Sequence, residues 1–285
     1  MSLARLSAPA IAVWLGAVLL PLASAAQTMV RPSPATSPAT QKNWSVMLGV
    51  GATWTPDYQG SEDHSTSAIP LLHATVKTSI GRFGLGDIPG PRGPFVTYTF
   101  HESAQWSLGV GMGREPGRRE RDASGSTPGS ETLRGMGEID SATAYGLFAI
   151  YRLEGWRLTG VWRGVSRSDG HGGRLADVQL SYTLPAIGRL VPEVSGGFTW
   201  ADDRYMQSLF GVSAEQSARS GYAVYSAGSG VRDYSATLGA RYRVTPEVVL
   251  LGRLGVSRLA GDAANSPIVQ DKVQPSALLG VAYQW

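Results

Sequence analysis

The sequence predicts a transmembrane antiparallel β-barrel of about twelve strands. Three observations carry that expectation. Apolar residues recur on every second position through segments of about ten residues. The connections between those segments are alternately short and long. The chain also closes on an alternating apolar run whose last residue is the aromatic Trp285. A soluble barrel or sandwich accounts for the alternation but not for connections that are short at one end and long at the other.

Composition agrees. The chain has 285 residues, 36 glycines, no cysteine and only 16% charged residues, which does not suit an ordinary cytosolic enzyme and excludes a disulfide scaffold or thiolate metal site. Its net charge is +3, and the basic residues are almost all arginine. A balance this close to neutral argues against a nucleic-acid partner.

Residues 1–26 read as a cleaved export signal: Arg5 precedes the apolar stretch Ala10 to Leu20, and Ala23-Ser24-Ala25 supplies the small-x-small cleavage pattern. The apolar stretch falls short of the ~20 residues of a spanning helix. Residues 27–43 are rich in proline and lack apolar periodicity, so they are expected to form a flexible periplasmic tail. The barrel then occupies 44–285.

Within it the dyad is clearest where Trp44, Val46, Leu48, Val50, Ala52 and Trp54 alternate with Ser45, Gly49, Gly51 and Thr53. It recurs in Trp106 to Met112 against Ser107 to Gly113, and in Ala176 to Leu184 against Asp177, Gln179, Ser181 and Thr183. The expected strands are roughly 44–54, 67–77, 80–87, 94–101, 105–113, 141–152, 155–165, 174–184, 189–200, 233–244, 246–257 and 276–285. Tight turns follow the even strands and long loops the odd ones, the bacterial outer-membrane arrangement with both termini periplasmic. Asp87 and Arg174 break the charge parity at strand ends. Pro70 and Pro192 remove ladder donors, so bulges are expected there. Tryptophans near strand ends fit an aromatic girdle, although core packing also places tryptophan there.

The final dyad Leu279, Val281, Tyr283 and Trp285 reads as an assembly signal, the feature by which the barrel assembly machinery takes up outer-membrane chains. The segments Trp54 to Ser61, Tyr205 to Ser213 and Leu259 to Val269 resemble those of the MipA/OmpV family, the MltA-interacting proteins, over about Trp44 to Trp285. One departure is Trp285, where the family leads one to expect Phe. The resemblance implies a barrel in the outer membrane of a Gram-negative bacterium, surrounded by outer-membrane lipid. It further implies a scaffold between a murein hydrolase, a lytic transglycosylase, and a murein synthase of the penicillin-binding class. Other members suggest a passive channel or a surface adhesin.

No catalytic, metal or cofactor site is predicted. The four histidines lack metal spacing, and His64 beside Glu62 and Asp63 reads as part of a solvated acidic loop. Asp63-His64-Ser65 and Asp169-Gly170-His171 are only chain neighbours, whereas a catalytic triad is a matter of spatial geometry. Gly109-Val110-Gly111-Met112-Gly113 lacks the helix and Lys-Ser/Thr of a phosphate loop, so close packing inside the barrel is the better reading. The lumen parity carries Lys77, Arg82, Arg152, Arg157, Arg163, Arg189, Arg241, Arg243 and Arg253 against Asp177, Glu193, Asp233 and Glu247. These charges either pair across the interior or focus a field that attracts anions. The segment 205–225 is too apolar for a solvated loop and is expected to dock on the barrel mouth, against glycine-rich faces such as Gly109, Gly111 and Gly113.

Overall fold

A computed structural model describes residues 42–86, 96–120, 130–166 and 172–285. The expected export signal, most of the tail, Asp87, and the Asp169-Gly170-His171 run lie outside the described residues. Lys42–Trp285 forms one compact unit.

Twelve strands among the described residues close a barrel: β1 (Trp44–Pro56), β2 (His64–Thr78), β3 (Gly81–Leu85), β4 (Val96–Glu102), β5 (Trp106–Glu115), β6 (Ala142–Leu153), β7 (Trp156–Ser166), β8 (Gly173–Thr183), β9 (Leu190–Ala201), β10 (Gly230–Arg243), β11 (Val248–Leu259) and β12 (Val273–Gln284). Every strand pairs antiparallel with its sequence neighbours, and β12 returns to β1 with Met47 opposite Gln284 and Trp54 opposite Ala277. Closure leaves no free edge, which is what a sheet in hydrocarbon requires. The termini of this unit and the tight turns share one end, and the long connections share the other.

The outward parity is the expected one. Leu48, Val50, Val110, Leu147, Leu158, Leu180, Leu238, Leu254 and Leu279 are exposed large apolar residues. Aromatic side chains ring both ends of this face. At the turn end Trp106 packs on Tyr151, Trp156 on Tyr182, and Tyr283 on Trp285. At the loop end Phe198 packs on Tyr234, with Trp200 two residues further along β9 and Trp54 exposed on β1.

The prolines behave differently from expectation. Register runs unbroken through Val50↔Pro70 and Ala240↔Pro192, and the irregularities fall between Thr99 and His101 and between Val231 and Asp233. For Pro192 the reason is visible. Its carbonyl accepts from the Leu184 amide just past the end of β8, so its donor-less nitrogen faces the place where that ladder stops. Pro70 lies where β3 has no pairing with β2, since β3 covers only Ala74 to Thr78.

The inner face is uneven. Towards β4–β8 it is packed: Thr97, Thr99, Ser107, Phe148, Ile150, Thr159 and Ser181 are buried. The phenyl ring of Phe148 lies over Gly109, where an added Cβ would stand 2.3 Å from it. Gly109 is therefore filled by its cross-strand partner rather than by a docked loop. Towards β10 and β11, the inward Ser235, Arg241 and Arg253 remain solvent-accessible.

This difference sets a test of parity. Arg in place of lipid-facing Leu254 should cost roughly 2–4 kcal/mol in a lipid refolding series. Buried Ser181, opposite Arg157, is no fair lumen control. Arg at the open inward position Thr237 should cost far less, and equal penalties at 254 and 237 would contradict the register.

Candidate functional site: the closed loop end of the barrel

The long connections do not stand away from the barrel. Between β9 and β10 the chain forms two helices, α1 (Asp203–Phe210) and α2 (Ala214–Ser220), and a third, α3 (Gly261–Asn265), follows β11. Asp202 caps α1 by accepting from the Tyr205 amide. Ser213 and Gln216 cap α2 reciprocally, and Gly221 ends it in the left-handed region at φ 81°.

Helix α1 buries Tyr205, Met206, Leu209 and Phe210, which lie on one side of the helix at spacings of one, four and five. They join Ile139, Ala142, Ala144, Val165, Leu175, Ala201, Ala227, Leu259, Ala263 and Ala264 in one apolar cluster. A second cluster unites Tyr58, Leu133, Met136, Val212 and Ile268, each from a connection at the loop end. Each large side chain buried this way contributes on the order of 1.5–3 kcal/mol. The 205–225 segment thus docks as expected, but on β8, α3 and the other loops rather than on the glycine faces, and Val224 stays outside at 61% exposure.

Polar contacts fix the same assembly. The Tyr58 hydroxyl donates to the Ile268 carbonyl at 2.9 Å, Tyr222 to Thr132 at 2.9 Å, and Tyr225 to Asp262 at 2.9 Å. Burial raises all three phenols above their ordinary value, so they stay neutral donors. Arg118, 4% exposed, donates Nη1 to the Leu209 carbonyl at 2.6 Å, while its Nε and Nη2 have no hydrogen-bond partner among the described residues. Burial lowers its pKa to about 10, with neighbouring Tyr58 and Glu120 opposing the shift.

Beneath α1 lies a buried charge network. Glu115, at the end of β5, accepts from the Tyr205 hydroxyl at 2.7 Å and from Arg163 Nη1 at 2.9 Å. Arg163 also donates Nε to Asp177 at 2.8 Å, and Asp177 accepts from the Thr199 hydroxyl at 2.9 Å. On the far side Arg232 donates to the Tyr205 hydroxyl at 3.2 Å and pairs with Asp233. Strands β5 and β10 are therefore tied directly to one helix through Tyr205, and β7 and β8 join through Arg163 and Asp177. Neither Glu115 nor Arg232 was among the expected lumen charges. Glu115 sits two residues beyond Gly113 on the same parity, so the signal was present, and Arg232 escapes parity because the Val231–Asp233 irregularity turns it inward.

The remaining expected lumen charges divide. Arg157 pairs with Glu193 at 2.9 Å, and Arg82 and Lys77 with Glu102 at 3.1 and 3.8 Å. Arg152 donates to Ser107, Arg189 to the Val244 carbonyl, and Glu247 accepts from Thr245. Arg241, Arg243 and Arg253 form no ion pair among the described residues. Elsewhere, His64 stacks on Trp54 at 4.2 Å and Ser65 donates to Asp57, so among the described residues Asp63-His64-Ser65 makes no relay. The terminal dyad lies on the outward face, Leu279, Val281, Tyr283 and Trp285 all being exposed.

Gly173 marks where α1 meets the strand wall. Its φ is +142°, and an added Cβ would stand 2.4 Å from Asp202 Oδ1 and 2.6 Å from Tyr205 Cβ. Gly173→Ala should push the helix off without preventing barrel assembly. Limited proteolysis should then cut within 202–229, and unchanged protection would contradict the role given to this contact.

Residues 48–285 match the MipA family, described as MltA-interacting protein MipA. The chain belongs to the MipA family. It is also 26% identical over 152 residues to YiaT of Escherichia coli strain K12, a protein named for a location in the outer membrane. That match covers 53% of this chain and 61% of YiaT, so the chain spans about three fifths of the relative's length. Among solved structures, the NanC porin aligns over 83% of this chain and 98% of its own, with 10% identity and a TM-score of 0.46. OmpT of Vibrio cholerae covers 85% and 97%, with 8% identity and a TM-score of 0.39. Likeness at that level carries no argument about function, and barrel closure rests on the strand pairing itself. This MipA-family chain is an outer-membrane β-barrel.

Proposed function

We propose that this protein is an outer-membrane scaffold for peptidoglycan-remodelling enzymes, inserted by the barrel assembly machinery after its signal is removed. The observation that carries the reading is the closed loop end. With α1 and the five charged residues beneath it packed over the loop end among the described residues, the turn end and the N-terminal tail are what the barrel offers partners. The family description, naming an MltA interaction, supports a murein hydrolase as one partner, and a murein synthase is the second. Detergent-solubilised protein, immobilised and exposed to purified lytic transglycosylase and bifunctional penicillin-binding protein, should retain both. Retention of neither would overturn the proposal.

A second reading, a passage for anions, is favoured by Arg241, Arg243 and Arg253, which lie on the accessible wall of the lumen without an ion pair among the described residues. Planar-bilayer recording separates the two, because a scaffold closed at the loop end is silent. The adhesin reading has less to stand on, since the 202–229 connection is packed inward.

A further inference from the structure

The cations of the lumen are not all compensated. Towards β2–β9 they are: Glu102 takes Arg82 and Lys77, Glu193 takes Arg157, and Arg152 donates to the Ser107 hydroxyl. Arg241 and Arg243 of β10 and Arg253 of β11 are exposed and make no ion pair or side-chain hydrogen bond among the described residues. Register places Arg241 between Val191 and Leu251, Arg243 beside Val249, and Arg253 between Gly239 and Leu278, all on the inward parity. The carboxylates of the flanking β9 and of the turn after β10 are engaged, Glu193 by Arg157 and Glu247 by the Thr245 hydroxyl.

Strand β10 runs towards the turn end and stops at Arg243. From that rim inward the cations come in the order Arg243, Arg241, and then Arg253 at the level of Gly239. At the strand rise of ~3.3 Å per residue, each step is ~7 Å. Leu251 and Leu278, both partly accessible, lie on the same wall. Twelve tilted strands ~4.8 Å apart enclose a barrel roughly 24 Å across between backbones, which leaves room for one extended chain between the side chains of opposite walls. With α1 packed over the loop end, the way in is from the turn end.

We propose that the turn-end lumen receives an extended acidic peptide segment of a partner protein, whose carboxylates on alternate residues meet Arg243, Arg241 and Arg253 in turn. This rests on the scaffold reading, to which it adds the place where a partner is held and the chemistry that holds it. The occupant follows from charge, spacing and access. Alternate side chains of an extended peptide lie on one face ~7 Å apart, the interval of the three arginines, whereas a single phosphate or carboxylate engages one level only. A guanidinium pairs with a carboxylate through two parallel hydrogen bonds, and the low-dielectric wall around it strengthens the attraction. The chain's own tail is the wrong charge, since residues 27–43 carry Arg31 and Lys42 and no acid.

The test uses the full barrel folded in detergent and fluorescence anisotropy of a labelled peptide that alternates glutamate with alanine. A peptide of the same composition with its glutamates in one block, and one alternating lysine with alanine, serve as controls. The alternating acidic peptide should bind at least tenfold more tightly than the block peptide, and the lysine peptide should not bind. Raising the salt to ~1 M, where the screening length falls to ~3 Å, should weaken the binding. The triple variant Arg241→Gln/Arg243→Gln/Arg253→Gln should lose tenfold or more while keeping heat-modifiable mobility. Arg258→Gln, which removes an arginine in register with exposed Tyr234 on the outer face of β11, should leave the affinity unchanged. Unchanged affinity in the triple variant, or equal affinity for the alternating and block peptides, would overturn the proposal. Displacement of the peptide by an equal concentration of inorganic phosphate would mean a small-anion site and would also overturn it. If the triple variant loses the peptide but still retains the transglycosylase and the penicillin-binding protein, the scaffold stands and this seat for its partners falls. If the peptide binds as expected and neither enzyme is retained, the scaffold reading alone falls.

Discussion

Glu115→Ala should open the loop end of the barrel. The substitution removes the acceptor of the Tyr205 hydroxyl and one of the two carboxylates held by Arg163, both inside the protein. Leaving a buried charge without any partner costs ~3–5 kcal/mol; Arg163 keeps Asp177, so the cost here falls below that range. That cost falls on the contact between α1 and the strand walls, not on the ladder, so the barrel should still assemble. In planar bilayers the wild type is expected to be silent, whereas the variant should conduct and prefer anions, since Arg241, Arg243 and Arg253 then line an open path. Glu115→Gln, which still accepts from Tyr205, should fall between them. Silence of Glu115→Ala together with full protease protection of 202–229 would mean that the network does not hold the closure.

Deleting Trp285 should have the other large effect, failure of assembly. Its amide donates to the Val46 carbonyl at 3.0 Å, the last bond of the seam by which β12 meets β1, and its ring packs on Tyr283 at 4.6 Å on the lipid-facing surface. Loss of that residue, or Trp285→Asp, removes the ring packed on Tyr283 and weakens the one pairing that joins the two ends of the sheet. The variant should accumulate as unassembled, protease-sensitive chain without heat-modifiable mobility on a gel. Normal mobility would show that the final dyad is dispensable.

The strands were legible because lipid permits only one solution along each of them. An outward residue such as Leu48, Leu180 or Leu254 must be apolar and its neighbours need not be, so parity survives even where propensity is weak. What parity cannot carry is the cap. Helices α1 and α2 span 8 and 7 residues, too short to impose a period on a window of eleven or more, although the Asp202 cap, the Ser213 and Gln216 pair, and Gly221 all announce them. The charge network is hidden for a different reason: Glu115 meets Arg163 across 48 residues and Tyr205 across 90, distances over which only the folded sheet decides partners. The prolines misled because a missing donor matters only if its nitrogen faces a continuing ladder, and at Pro192 the ladder has ended.

Thiol labelling, in a chain without cysteine, asks directly whether the 202–229 connection is part of the wall or free above it. Phe210 is fully buried, whereas Val224, in the same connection, is exposed. With the protein folded in lipid vesicles, Val224→Cys should react with a membrane-impermeant maleimide within minutes, and Phe210→Cys should stay unmodified until the barrel is denatured. Equal labelling of the two in the folded protein would contradict the closed loop end.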